Sequence, residues 1–348
     1  MLVIDGAHGE GGGQLVRTTI ALAAVTHTTL RIVQMRARRP KPGLAPQHLT
    51  AVRAVAALCG GEVEGLTPGS QSLVFVPGEL RGGTFEFDVG TAGSIPLVLQ
   101  ALMPAMVMIG RRVEVHLVGG TDIWAAPPLD YLEHVLLPLM RLLGARATLR
   151  CTRRGYYPRG GGRVELVMEQ STLVPRQLDV QGKLRSIRGV AHAANLPSHI
   201  PARMGEAATS CLAGWDVSNI EISLLHEPGA LGAGGAIVLW AETDCTILGA
   251  GRVARRGVPA ELLGQEAGSE LAVDLASGAT LDVHAADQML VYFALSGGGS
   301  FLTRRISSHS DTTMWLIAQL LPVHFVCTQH GDLVHVAVCP VPPGQRDA

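Results

Sequence analysis

Residues 2–17 read Leu2-Val3-Ile4-Asp5-Gly6-Ala7-His8-Gly9-Glu10-Gly11-Gly12-Gly13-Gln14-Leu15-Val16-Arg17. Leu2–Asp5 reads as a strand. Gln14–Thr26 reads as a helix that opens straight from a glycine loop. A helix N-terminus in that position offers unpaired N–H groups to an anion. The loop fits neither the dinucleotide fingerprint G-x-G-x-x-G nor the P-loop, because no Gly-Lys-Ser/Thr follows. A plain Gly-rich tight turn is the structural alternative. Glu10 is the odd residue, since a carboxylate repels phosphate unless a divalent cation sits between them.

Working outward, the charge pattern favours an anion. No acidic residue lies between Glu10 and Glu62, while Arg17, Arg31, Arg36, Arg38, Arg39, Lys41 and Arg53 fall in that interval. The whole chain is nearly balanced, with a formal net charge of −1. The positive charge is therefore local, which argues against duplex binding by bulk charge and for a confined phosphate-binding surface. In Arg39-Pro40-Lys41-Pro42-Gly43 the prolines stiffen a basic loop, and Gln47 and His48 open the next helix beside it. A solvated basic loop is the plainer account of the same residues.

The 348 residues suffice for a large core in one or two domains. Hydrophobic content of 47% excludes a disordered chain, and 4% aromatic residues exclude a stacking platform for many bases. The six cysteines are widely spaced and form neither a zinc framework nor a disulfide scaffold. The N-terminus has no signal-peptide pattern. The apolar run Ile95–Ile109 is too short and too interrupted to span a membrane. The expected setting is cytoplasmic and reducing.

The pattern along the chain is mixed α/β. Pro46–Cys59, Ser94–Ile109 and Pro128–Leu143 read as helices; Leu30–Gln34, Leu73–Val76, Thr84–Val89 and Val113–Val118 read as strands. Helix end, glycine and strand recur at Leu58–Val63, Leu143–Ala147 and Leu275–Thr280, a loose echo of a repeated module. From about residue 181 to 255 the texture changes to a compact βαββ unit, as of a small inserted domain.

Three more segments qualify as sites, each with an ordinary structural alternative. Gly119-Gly120-Thr121-Asp122, with Ala126-Pro127-Pro128 after it, lies between a strand and a helix; it also reads as a turn with Pro at a helix start. Gly155-Tyr156-Tyr157-Pro158-Arg159-Gly160-Gly161-Gly162 is a ligand loop or a hairpin. Ser307-Ser308-His309-Ser310-Asp311-Thr312-Thr313 precedes a helix read as Met314–Leu321, and places a histidine among hydroxyls. A lone histidine there is a nucleophile or base, or simply a packed residue.

In this order the segments resemble the RNA 3′-terminal phosphate cyclases. The resemblance is carried by Asp5 to Arg17, Arg36 to Arg39, Lys41 to Leu44, Gln47 to Ala51, Gly90 to Gly93, Gly119 to Asp122, Ala126 to Pro128, Tyr157-Pro158 with Gly160 to Gly162, Ala286-Asp287-Gln288, His309 and Thr312. It spans nearly the whole chain apart from the insert. It implies an α/β (α+β) fold shared with enolpyruvyl transferases: a large domain of repeated α/β units over 1–180 and 276–348, interrupted by a smaller inserted domain at 181–275. It also implies ATP-dependent conversion of an RNA 3′-phosphate to a 2′,3′-cyclic phosphate through a histidine–AMP adduct and an RNA adenylate.

On that resemblance His309 is the nucleophile and Glu10 the ligand of Mg²⁺ or Mn²⁺. Arg17, Arg36, Arg39, Lys41, Gln47 and His48 hold phosphates. Asp287 and Gln288 lie near the nucleotide ribose and base, with His284 where relatives often have tyrosine, and Gln100, Pro128 and Tyr131 in the same pocket. The residues around His309 also depart from the commoner family pattern. ATP and an RNA with a 3′-phosphate end are the expected partners, no membrane is expected, and a homodimer stays open. Two competing readings differ in class. A non-catalytic ribosome-assembly relative would lack the histidine. An enolpyruvyl transferase would need other acids and lysines, and Lys41 and Lys183 are the only lysines here.

Overall fold

One βαβαββ module occurs three times in this chain. The computed structural model describes residues 1–215 and 220–342. The first module comprises β1 (Leu2–Asp5), α1 (Gly13–Thr26), β2 (Leu30–Val33), α2 (Pro46–Cys59), β3 (Glu62–Glu64) and β4 (Leu73–Val76). β1 and β2 are parallel, as a crossover through a helix requires. β4 then adds antiparallel to β2, and β3 forms the edge.

The second module repeats this plan with β5 (Gly83–Asp88), α3 (Ile95–Met108), β6 (Val113–Gly119), a helical stretch over 129–142, β7 (Ala147–Arg153) and β8 (Gly162–Met168). Its sheet order, β5-β6-β8-β7, is again first, second, fourth, third. The helical stretch is α4 (Leu129–Tyr131), a π-helical segment (Leu132–Leu136) and α5 (Leu137–Leu142).

The third module is split. After β9 (Arg176–Leu178) the chain leaves to build β10 (Leu184–Ala194), α6 (His199–Cys211), β11 (Ile220–His226), β12 (Gly234–Thr243), β13 (Ile247–Val253) and α7 (Ala260–Ser277). It returns as α8 (Val283–Leu295), β14 (Gly299–Thr303), α9 (Ser308–Leu320), β15 (Val323–His330) and β16 (Leu333–Pro340). The order β15-β16-β14-β9 is the same arrangement read from the other edge.

Helices of the modules pack on one another at the centre, α1 on α2, α3 and α9, and α8 on α3 and α9. Each sheet turns one face inward: β6 alternates buried Val113, Val115 and Leu117 with half-buried Glu114 and His116. α3 is buried nearly all round, which explains its apolar sequence. Among the described residues no helix is long and apolar enough to cross a membrane.

The inserted unit has its own sheet, order β11-β10-β12-β13, and its own core. Strand periodicity divides β12 between two cores. Ile237, Leu239 and Ala241 face α6 and α7, whereas Val238 and Trp240 join the large central core, where Trp240 stacks on His134 of the π-helical segment at 4.2 Å. The closing helix α7 was not anticipated from sequence. Gly264 and Gly268 dilute its helical signal, yet contact with α6 requires them: a Cβ at Gly264 would lie 2.1 Å from the Met204 carbonyl oxygen.

Candidate active site

The cleft is built from N-termini. The glycine loop and α1, the start of α2, the 124–131 segment, the start of α8 and the start of α9 converge with the end of β13 on a cavity of about 760 Å³. Thirteen of the fourteen residues expected at the site line it: Glu10, Arg17, Arg36, Arg39, Gln47, His48, Gln100, Pro128, Tyr131, His284, Asp287, Gln288 and His309. Lys41 is exposed on the basic loop and is not part of the wall.

His309 sits inside the first turn of α9, not ahead of a helix starting at Met314. The reason is a cap: the Ser307 hydroxyl accepts the Ser310 N–H at 3.0 Å, which opens the helix at Ser308. From there the His309 Nδ1 lies 2.7 Å from Glu10 Oε2. The other Glu10 oxygen pairs with Arg39. The Glu10 backbone N–H donates to Thr312 Oγ1 at 3.3 Å, and the Gln14 amide donates to Thr313 Oγ1 at 2.9 Å. The glycine loop is thus fastened to the histidine helix.

With Nδ1–H donated to Glu10, a neutral His309 carries its lone pair on Nε2. A single carboxylate among phosphate-binding groups fits Mg²⁺ or Mn²⁺, which take one or two protein carboxylates and complete their shells with water and substrate phosphate.

Behind this pair Arg17 is withdrawn from water and Arg36 is half-buried. Arg17 is 7% exposed, and its Nε finds no hydrogen-bond partner among the described residues. Burial lowers its pKa to about 10, with no carboxylate opposing the shift. Arg36 is lowered by burial and then by Arg39; its guanidinium donates to the Gly43 carbonyl at 2.5 Å. The backbone N–H of Ala45 donates to His48 Nδ1 at 3.0 Å, so this imidazole presents Nε2–H. Burial, then Arg17 and Arg36, push its pKa down to about 3 and keep it neutral. Gly13 is obligatory here, since a Cβ would stand 2.1 Å from His48 Nε2. Gly12 caps α1 without a side chain and leaves the first N–H groups unclaimed by one. Together these groups form a donor-rich, acid-poor pocket suited to phosphate.

The other end is less charged. The Gln100 amide donates to Gln288 Oε1 at 2.6 Å, and the Gln288 amide donates to the His284 carbonyl at 3.1 Å. Asp287 accepts hydroxyls from Ser307 and Ser310, tying α8 to the start of α9. Buried Tyr131 donates to Asp282 at 2.7 Å, and Asp282 caps α8 through the His284 and Ala285 N–H groups. His284 is largely exposed beside Pro128 and Tyr131 in the same wall.

Two features were not visible in the sequence. Trp124, Arg252, Arg255 and Glu266 also line the cleft, the last three from the inserted unit. Asp122 of the Gly119–Asp122 segment is outside the cleft. It is buried against Arg154, which Asp130 holds bidentately at 2.7 and 2.8 Å, beside His192. Gly155–Gly162 is the connection between β7 and β8, with Tyr156 buried against His192.

Comparison with known proteins identifies the family. The family model "RNA 3'-terminal phosphate cyclase" matches residues 8–327. A protein of that name from Nitrosospira multiformis is 51% identical over 342 residues, covering 98% of this chain and 97% of the relative. One from Hyperthermus butylicus is 45% identical over 331 residues, with 92% of each chain covered. One from Methanosarcina barkeri is 40% identical over 338 residues, covering 97% of this chain and all of the relative. A match of this extent and identity, over a cleft that gathers the glycine loop, the buried arginine and the histidine, places the chain in the RNA 3′-terminal phosphate cyclase family.

Proposed function

We propose that the cleft converts an RNA 3′-terminal phosphate to a 2′,3′-cyclic phosphate at the expense of ATP, with His309 as the nucleophile. The observation that carries this reading is the His309 Nδ1 contact to Glu10 at 2.7 Å, which turns Nε2 away from the carboxylate as the nitrogen available for attack. Nε2 attacks the α-phosphorus of ATP; an N–P bond forms, the bond to the β-phosphate oxygen breaks, and pyrophosphate leaves. An oxygen of the RNA 3′-phosphate then displaces histidine, giving RNA-adenylate. The adjacent 2′-hydroxyl attacks the 3′-phosphorus, loses its proton and expels AMP.

Arg17, Arg36, Arg39, Gln47 and His48 bind and orient the phosphates in these steps. Gln100, Pro128, Tyr131, His284, Asp287 and Gln288 seat the nucleoside. A divalent cation held by Glu10 would neutralise the charge of departing pyrophosphate. We take 1–180 and 276–348 as the catalytic domain, 181–275 as the insert, and the cytoplasm as the compartment.

The test is incubation with α-labelled ATP and Mg²⁺ or Mn²⁺, followed by acid and alkali treatment of the protein. The expected result is an acid-labile, alkali-stable AMP adduct that is absent from a folded His309→Ala variant. Labelling retained in that variant removes His309 from the role. No adduct with either metal would favour a binding protein that kept the fold without the chemistry.

A further inference from the structure

The cleft holds one side chain to which the proposed steps assign no part. Trp124 is 63% exposed, in a chain with only four tryptophans, and it lines the cleft. Its position is fixed from below. Thr121 and Asp122 are buried: the Thr121 hydroxyl donates to Asp122 at 2.7 Å and accepts the Gly155 N–H at 3.0 Å, and Asp122 accepts from Leu129 N–H and Arg154. On its other side Ala125 adopts a left-handed φ of 63°, a conformation costly for a residue with a Cβ. The segment is therefore anchored and turned so that the indole stands in the cleft.

The inserted unit meets it there. The Arg255 guanidinium sits over the Trp124 ring, 5.3 Å from its centroid. Nearby Arg252 is held by Glu266 at 2.8 Å and Glu270 at 2.7 Å, whereas Arg255 enters no ion pair among the described residues. With Arg255 over one face and 63% of the residue exposed, the indole leaves its other face for a base while the unneutralised guanidinium takes the backbone phosphate.

We propose that Trp124 and Arg255 form a subsite for one nucleotide of the RNA upstream of the reacting 3′-phosphate, with Trp124 stacking its base and Arg255 binding its phosphate. This rests on the cyclase reading, under which ATP already has its own nucleoside wall in Gln100, Pro128, Tyr131 and His284. The second ring and the second cation are then free for the other substrate. One ring serves one base, in keeping with the chain's few aromatics. The subsite also gives the insert a role, since its Arg255 closes the RNA side of a cleft whose chemistry lies in the modules.

The experiment measures binding of a short 3′-phosphorylated RNA by fluorescence anisotropy, alongside ATP affinity, for wild type, Trp124→Ala, Trp124→Phe and Arg255→Ala. Trp124→Ala weakens RNA binding about tenfold, and Trp124→Phe recovers most of it, since stacking is what is lost. Arg255→Ala weakens binding and flattens its salt dependence by about one phosphate contact. The same RNA is then made with an abasic residue at each of its last few positions in turn. At one position the abasic change and Trp124→Ala cease to be additive.

A Trp124→Ala loss that is identical for intact and every abasic RNA overturns the proposal. So does a loss that falls on ATP affinity. A wild-type protein that neither binds nor cyclises the RNA sinks the parent reading as well. One that cyclises it, with Trp124→Ala indistinguishable in affinity, sinks the subsite alone.

Discussion

Arg17 and Arg154 are equally withdrawn from water, at 7% and 6% exposure, and have opposite surroundings. Arg154 is embraced by Asp130 and approached by Asp122. Burial alone would lower its pKa; the two carboxylates override that and raise it well above the usual guanidinium value. Asp130 is the mirror case. Burial would raise it, and contact with His192 and the charge of Arg154 hold it well below the ordinary carboxylate range. Arg17 has burial without compensation. A buried cation whose charge is answered inside the protein belongs to the architecture. One whose charge is unanswered, and which lines a cleft, is a candidate to bind an anion from outside.

The contrast breaks most visibly at Asp130. Asp130→Ala strands the Arg154 charge in a dry site and should cost about 3–5 kcal/mol, read as a lower denaturant midpoint. A loss below about 1 kcal/mol would mean that Arg154 finds water or Asp122 sufficient.

Arg17→Met should do the reverse. It fills the same space without the unpaired charge, so the ligand-free variant is at least as stable as wild type. What it loses is ligand-induced stabilisation: pyrophosphate at about 100 times its Kd adds about 2.7 kcal/mol to the wild type and little to the variant. An equal shift in both would remove Arg17 from anion binding.

Near neutral pH the smallest effect concerns His48. Its folded pKa, about 3, lies below the unfolded 6.5, so between those values the unfolded chain binds a proton that the folded chain refuses. Stability is whole above pH about 6.5 and falls toward pH about 3 by at most about 1.4 kcal/mol per pH unit. His48→Gln should flatten that part of the stability–pH profile. An unchanged slope would show that other groups set it.

The first two modules were largely legible in sequence because their helices are periodic and their breaks are glycines: α2 and β4 coincide with their expected limits, α1 starts one residue earlier than expected, and α3 is one residue shorter at each end. The third module was not. Its parts are separated by the insert, and β14 to β16 carry no motif. The start of α9 was hidden because Ser307 and Ser308 read as loop residues until the cap bond to Ser310 is seen.

The cleft was legible on its glycine and basic side, where neighbours in sequence are neighbours in space. Lys41 belongs to the same charge run yet points to solvent, since a charge pattern does not say which side of a loop is wet. Trp124 and Arg255 were missed because they meet only after the insert folds back on the second module. Asp122 looked like a ligand residue, and its partner Arg154, 32 residues away, had given no sign of the pairing.

The contact between the glycine loop and α9 has a consequence for the timing of synthesis. Glu10 and Thr312 are 302 residues apart in the chain and bonded in the fold. On a ribosome, the first module can fold while the rest is still being made, but the pocket beside Glu10 stays open until α9 has emerged. The loop-closure entropy for a separation of this size grows only logarithmically, so the delay is one of availability rather than of a large thermodynamic barrier. On the roles proposed above, a nascent or prematurely ended chain therefore carries the phosphate-binding half without the histidine half, and would gather anions without being able to react with one.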